Sequence, residues 1–192
     1  MSYLDRVCAT SDDRVSWLRE RSRGVTATDA AKLATEASIQ KAVWDKLHGG
    51  FFGSAYTEHG KTREPIIAEW AGRAHGIEAS RSLFFAETER RHLATPDGLR
   101  IGPTGELELC EIKTTTKPWR SIPRNYLRQV WWQQYVLGAE RTLVVWEEHR
   151  DFVPVAEEPQ WQWVDRDDDQ IEILVRYANQ MLSALARSAE PR

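Results

Sequence analysis

A chain of 192 residues, 41% apolar and 29% charged, has the size of one globular domain and can bury a core, which excludes both a disordered tail and a pair of full enzymatic domains. No apolar run approaches the ~18 residues that cross a bilayer, and the N-terminus lacks a basic-then-apolar leader, so neither a membrane span nor a secretory signal is expected. A formal net charge of −3 argues against binding nucleic acid through bulk positive charge.

In chain order, residues 11–22 read as a helix capped by Ser11 or Asp12, with Val15 and Leu18 on one face and Gly24 as its stop. Thr28 reads as the N-cap of a second helix, DAAKLATEA, with Asp29 in its first turn. Ile39, Val43 and Leu47 step by four toward Gly49 and Gly50 and give a third helix. Residues 62–75 make a fourth, with Pro65 in the first turn and Ile67, Trp70, Ala71 and Ala74 as its apolar stripe.

The texture then changes. SLFFAE (82–87) and RHLAT (91–95) read as short strands, and TPDGL as a turn. ELELCEIKTT (106–115) alternates with period two, so Leu107, Leu109, Glu111 and Lys113 share one face, and Glu106, Glu108, Cys110 and Ile112 the other. Residues 124–137 return to helical spacing and end at Gly138. RTLVVWEE (141–148) is a strand, 152–164 an edge strand or hairpin, and 170–187 an amphipathic helix. With no repeat or linker, residues 1–192 read as a single α/β (α+β) domain, a three-layer αβα sandwich around a mixed sheet.

The chemistry sits in an acid within a turn, Asp97, followed by an acid and a lysine two residues apart on a strand, Glu111 and Lys113. A hard divalent cation wants carboxylate oxygens, and Mg²⁺ keeps several waters rather than a full protein cage. Asp97 and Glu111 can hold such an ion, the carbonyl of Ile112 can add a neutral oxygen, and Lys113 can orient or help deprotonate a water that attacks a phosphodiester. Taken singly, an acid, a spacer and a lysine on a strand are more often a solvated ion pair. Glu64 beside an apolar helical stripe, and a later helix carrying Gln129 and Gln133 on one face, raise the reading.

The ordered set resembles the PD-(D/E)xK nuclease superfamily, with a restriction-endonuclease-like fold, and within it the lambda-type exonuclease or YqaJ-like viral recombinase family. The resemblance covers roughly residues 17–147. WLRERSRGVTATDAAKL is similar to a motif in which an arginine and a hydroxyl at a helix start hold the 5′-phosphate of a DNA end, which places those roles on Arg21 and Thr28. HGKTREPIIAEW resembles the helix bearing the first catalytic acid, here Glu64, and ATPDGL the turn with the central metal ligand, here Asp97. ELCEIKTTT matches the strand with the second ligand and the catalytic lysine, here Glu111 and Lys113, and YLRQVWWQQYVLG the helix with an active-site glutamine, here Gln129.

The resemblance implies a Mg²⁺- or Mn²⁺-dependent DNA exonuclease, with one or two ions per site, that degrades linear duplex from the 5′ end and releases 5′-mononucleotides. It also implies a ring trimer and a single-strand annealing partner in phage-type recombination. An endonuclease on the same fold, or a non-catalytic DNA-end-binding module, is the alternative. Trp131 stands where a second glutamine is frequent, so Gln133 receives no role.

Charge and composition add further expectations. Residues 147–169 hold nine acids against two bases, a stretch that must face away from a duplex, and the first 146 residues are mildly basic. Lys117, Arg120 and Arg124 are candidates for backbone phosphate contacts. Gly60-Lys61-Thr62 imitates the tail of a phosphate loop, but Ala55 stands where its upstream glycine is needed. The five histidines show no zinc spacing, and His92, Trp131 and Trp132 read as packed residues. Two cysteines, Cys8 and Cys110, cannot build a disulfide framework and suit a reducing cytoplasm.

Overall fold

A computed structural model describes residues 2–49 and 54–189. A 3-10 turn, Tyr3–Arg6, leads into β1 (Val7–Thr10) and α1 (Arg14–Arg23). Then come β2 (Val25–Thr26), the single turn α2 (Ala27–Ala30), α3 (Glu36–His48) and the long α4 (Ala55–His75). Five strands follow: β3 (Glu78–Ala79), β4 (Ser82–Phe85), β5 (His92–Ala94), β6 (Gly98–Ile101) and β7 (Leu107–Thr115). The chain ends with α5 (Arg124–Leu137), β8 (Arg141–Arg150), β9 (Val153–Pro154), β10 (Gln160–Asp165) and α6 (Asp168–Ala189).

The larger sheet has the order β10-β8-β7-β6-β3, with β7 parallel to β8 and antiparallel to β6. Its two faces carry different halves of the alternating β7 sequence. Cys110 and Ile112 pack with Leu143 and Val145 of β8 against Ile67 and Ala71 of α4. Leu107 and Leu109 pack with Val144 and Trp146 against Val130 and Trp132 of α5 and Leu174 and Met181 of α6. That is a mixed sheet between two helical layers, as the period-two pattern implies.

The remaining strands form a second mixed sheet, β1-β4-β5-β2, with β2 parallel to β5. The chain passes between the sheets after β3 and again through Thr95-Pro96-Asp97. The Ser80 N–H donates to the Asp97 carbonyl (2.9 Å) and the Asp97 N–H to the Cys110 carbonyl (3.0 Å), so the crossings lie side by side. The Pro-Asp-Gly segment is therefore a sheet-to-sheet crossing. Gly98 opens β6 because a Cβ there would collide with the Ile77 side chain.

The helix starts move for identifiable reasons. Asp13, rather than Ser11 or Asp12, caps α1 by accepting the Ser16 N–H (3.1 Å). Thr26, two residues ahead of Thr28, caps α2: Asp29 accepts the Thr26 N–H (2.8 Å) and Thr26 Oγ1 accepts the Asp29 N–H (3.3 Å). DAAKLATEA is thus not one helix. The chain turns at buried Leu33 and starts again at Glu36 behind the cap residue Thr35.

Helix α4 begins at Ala55, capped by Ser54, so Pro65 and Glu64 lie in mid-helix rather than in its first turn. Gly60-Lys61-Thr62 is helical as well, which disposes of the phosphate-loop resemblance. Buried Arg6 ties the N-terminus down by donating to the carbonyls of Phe85 (3.1 Å), Leu137 (3.0 Å) and Val136, two of which lie at the end of α5.

His92 on β5 is 1% exposed and stacks edge-on against Trp132, with ring centroids 4.8 Å apart. Its Nδ1 meets the Tyr135 hydroxyl (3.0 Å), and Nε2 has no partner among the described residues. Burial pushes its pKa down to about 4. An unfolded histidine titrates near 6.5, so between these values the unfolded state binds the extra proton. Stability is therefore full above pH 6.5 and falls as the pH drops through 4, by up to about 3 kcal/mol at 1.36 kcal/mol per unit. Urea unfolding at pH 7.5 and pH 5 measures this loss, which is expected to shrink in His92→Phe.

Candidate active site

Strand β7 brings Glu111 and Lys113 to the face covered by α5, beyond the last β6 partner at Cys110. Glu111 is 1% exposed, and three donors hold its carboxylate. Oε1 accepts from the Lys113 ammonium and from Gln129 Nε2 (2.5 Å), and Oε2 accepts from Gln133 Nε2 (2.6 Å). Gln129 and Gln133 lie one turn apart on α5 and grip both oxygens from the same side.

Asp97, at the crossing between the sheets, accepts the Ile112 N–H on Oδ2 (2.6 Å). A residue in a strand presents its N–H and C=O to the same edge, so the Ile112 carbonyl also faces the Asp97 side. Glu64 reaches the cleft from the middle of α4.

Glu64, Asp97, Glu111, Ile112, Lys113 and Gln129 line one cleft of ≈ 320 Å³, and Arg21 and Thr28 line the same cleft. All of the residues expected at the catalytic centre and at a terminal phosphate therefore converge. Lys117, Arg120 and Arg124 do not line it. Arg124 instead donates to Gln170 (3.2 Å) and lies over the Trp131 ring. None of the acidic residues of 147–169 lines the cleft.

Three carboxylates in so small a space repel one another. Burial, reinforced by the Glu111 charge, pushes Asp97 well above the ordinary carboxylate range and raises Glu64 as well. Burial pulls the Lys113 ammonium down, but the charges of Glu111 and Asp97 outweigh it and hold this amine above its usual value.

That donor set suits a hard divalent cation, whose charge would relieve the repulsion. Among the described residues, no group of three or more His, Cys, Asp or Glu side chains is arranged to hold a metal ion. A site of two carboxylates, a carbonyl and waters needs no such group.

Gln133, fully buried, holds Glu111 as directly as Gln129 does, on the helix face that the two share in the sequence. Trp17 lines the cleft with the Arg21 guanidinium 4.2 Å from its ring centroid, and Ser80, Arg81 and Thr95 border Asp97 in sequence or at the crossing.

Trp17, Arg21 and Thr28 also line an adjoining cleft of ≈ 840 Å³, together with the cations Arg14, Lys32 and Lys46. Lys46 pairs with Asp29 (2.7 Å) and Lys32 with Asp45 (3.0 Å). Burial lowers the pKa of Arg21, and Asp29 partly offsets this.

The model of the YqaJ-like viral recombinase domain matches residues 16–140. The curated proteins give no match. Among solved structures, the alkaline exonuclease LHK-Exo from Laribacter hongkongensis, in complex with dAMP, is similar with a TM-score of 0.71. The identity is 21%, over 91% of this chain and 93% of that one.

A phage related exonuclease from Haemophilus somnus 129PT gives a TM-score of 0.63 at 13% identity, over 87% of this chain and 96% of that one. At such identities the likeness is one of fold, a restriction-endonuclease-like α/β arrangement. The family match spans well over half of the sequence, and the chain belongs to the YqaJ-like viral recombinase domain family.

Proposed function

We propose that this protein is a divalent-metal-dependent deoxyribonuclease that degrades linear duplex DNA from an end. The observation that carries the reading is the convergence of Glu64, Asp97, Glu111, Lys113 and Gln129, from four separate segments of the chain, in one cleft that also contains Arg21 and Thr28. The family and the exonuclease neighbours supply the class of reaction.

Asp97, Glu111 and the Ile112 carbonyl would hold Mg²⁺ or Mn²⁺, and Glu64 would support a second ion or its water. When bound, such an ion offsets charge developing on the phosphoryl oxygens and acidifies a coordinated water. The chain's own groups do the rest. Lys113, fixed by its bond to Glu111, presents N–H donors to the attacking water and to a non-bridging phosphate oxygen. Gln129 and Gln133 keep the Glu111 carboxylate in one orientation through the reaction.

Arg21, braced on Trp17, and the Thr28 hydroxyl receive the 5′-terminal phosphate, which sets a 5′-to-3′ direction and 5′-mononucleotide products. The neighbouring cationic cleft gives the strand a path into the site. A ring trimer, an annealing partner and action in the cytoplasm complete the reading. No helix among the described residues is long and apolar enough to cross a membrane.

Linear duplex labelled at either 5′ end, and closed circular duplex, test the proposal together. Linear DNA is expected to lose labelled mononucleotide in Mg²⁺, to stay intact in excess EDTA, and the circle to remain closed. A nicked circle would make the enzyme an endonuclease, and an intact linear substrate in both Mg²⁺ and Mn²⁺ would remove the nuclease assignment.

A further inference from the structure

Outside the catalytic cleft, two histidine rings meet. His59 of α4 and His149 of β8 lie with ring centroids 4.2 Å apart. His149 is 2% exposed, and neither its Nδ1 nor His59 Nε2 has a hydrogen-bond partner among the described residues. Buried ring nitrogens are nearly always paired, so two unpaired ones on touching rings call for an occupant.

The surroundings are built rather than accidental. One turn along α4, Arg63 donates twice to the buried Glu147 carboxylate (2.8 and 2.6 Å), two residues before His149 on the same face of β8. Helix and strand are thus joined by two rungs, one ionic and one imidazole–imidazole. Tyr56 and Phe152 pack beside the histidine rung, with centroids 5.3–6.2 Å from their neighbours. A cleft of ≈ 370 Å³, lined by Tyr56, Thr114, Thr116 and His149 among others, reaches the His149 side of the pair from solvent.

We propose that His59 and His149 form a binding site for a borderline divalent transition metal such as Zn²⁺, Ni²⁺ or Co²⁺, separate from the all-oxygen catalytic cleft. Neutral imidazole is the preferred protein ligand of these ions, at about 2.0–2.1 Å for zinc, and waters reached through the cleft fill the remaining positions. Mg²⁺, which favours oxygen, is not expected to compete. The ion ties α4 to β8 five residues before Glu64, so it adds to stability without contributing an atom to catalysis.

The full chain, stripped with chelator and held in millimolar Mg²⁺ to satisfy the carboxylates, is titrated with Co²⁺ and with Zn²⁺. One equivalent of Co²⁺ is expected to give visible absorption with nitrogen ligation, displaced by Zn²⁺, and Zn²⁺ to raise the unfolding midpoint. His149→Phe, whose ring can stack on Phe152, and the half-buried His59→Gln are each expected to weaken binding at least tenfold. His75→Gln, a histidine in a different aromatic cluster, is expected to leave it unchanged. Zn²⁺ affinity in folded His59→Gln equal to that of the parent overturns the proposal. So does a parent protein that binds no Zn²⁺ in excess Mg²⁺, in which case the pair encloses water.

Discussion

Lys113→Ala is expected to cut the rate of phosphodiester cleavage at saturating DNA by about 10²–10⁴-fold, the range associated with a positioned proton donor or acceptor. The Lys113 side chain is mostly buried, bonds to Glu111 and lies 5.2 Å from the Tyr126 ring centroid, so water cannot take over its position freely. Its removal leaves the Glu111 carboxylate with the two glutamine donors, so the fold is expected to survive. Binding of duplex in Ca²⁺ should change far less than turnover, because the charge removed acts on the reacting phosphate and not along the backbone.

Single-turnover rates and fluorescence anisotropy separate the two effects. Cleavage at the parental rate by a folded Lys113→Ala protein would sink the catalytic assignment. Glu111→Gln is the companion measurement: it keeps the shape but puts an amide where two amides and an ammonium now donate. It is expected to lose activity at least as severely.

How much of this was readable in advance depends on what kind of force sets each feature. The β7 alternation was legible because both faces of the strand are covered, one by α4 and one by α5, and each face must then be consistent along its length. Glu111 and Lys113 follow from that alternation, and Gln129 from the resemblance.

Short elements were not legible. β2 and β3 are two residues each and take their structure from partners distant in sequence, Val25 from His92 and Glu78 from Leu99. No local period can announce them. The division into two sheets has no local signal for the same reason, since it rests on the crossings at Ser80 and Asp97 rather than on any run of residues.

Helix starts are ambiguous for a different reason. Thr28 and Thr26 are chemically equal as caps, and only the reciprocal bonds with Asp29 distinguish them. The family pattern gives Gln133 no role because Trp131 fills the position of the second glutamine, yet on a helix a residue four positions after Gln129 meets the same carboxylate.

Trp132→Ala is expected to cost about 3–5 kcal/mol of stability, the range for truncating a large buried aromatic side chain. Trp132 has no exposed surface, packs against His92 and Tyr135, and donates its indole N–H to the Leu93 carbonyl (3.0 Å). Truncation opens a cavity between α5 and the smaller sheet and orphans a buried carbonyl, two penalties that act together. Trp132→Phe retains the ring contact and loses mainly the indole and its hydrogen bond, so it should fall between parent and Ala.

The consequence for function follows from where Trp132 sits. Gln129 and Gln133 flank it on α5, so the packing of one indole against β5 sets the distance from which both amides reach Glu111. Well below its lowered melting point, Trp132→Phe is therefore expected to cleave DNA more slowly than the parent while binding it equally well. Urea unfolding alongside turnover at 10 °C separates the two losses. A Trp132→Phe protein with parental turnover would show that the glutamines are held by β7 alone, and that the core behind α5 serves stability without reaching the site.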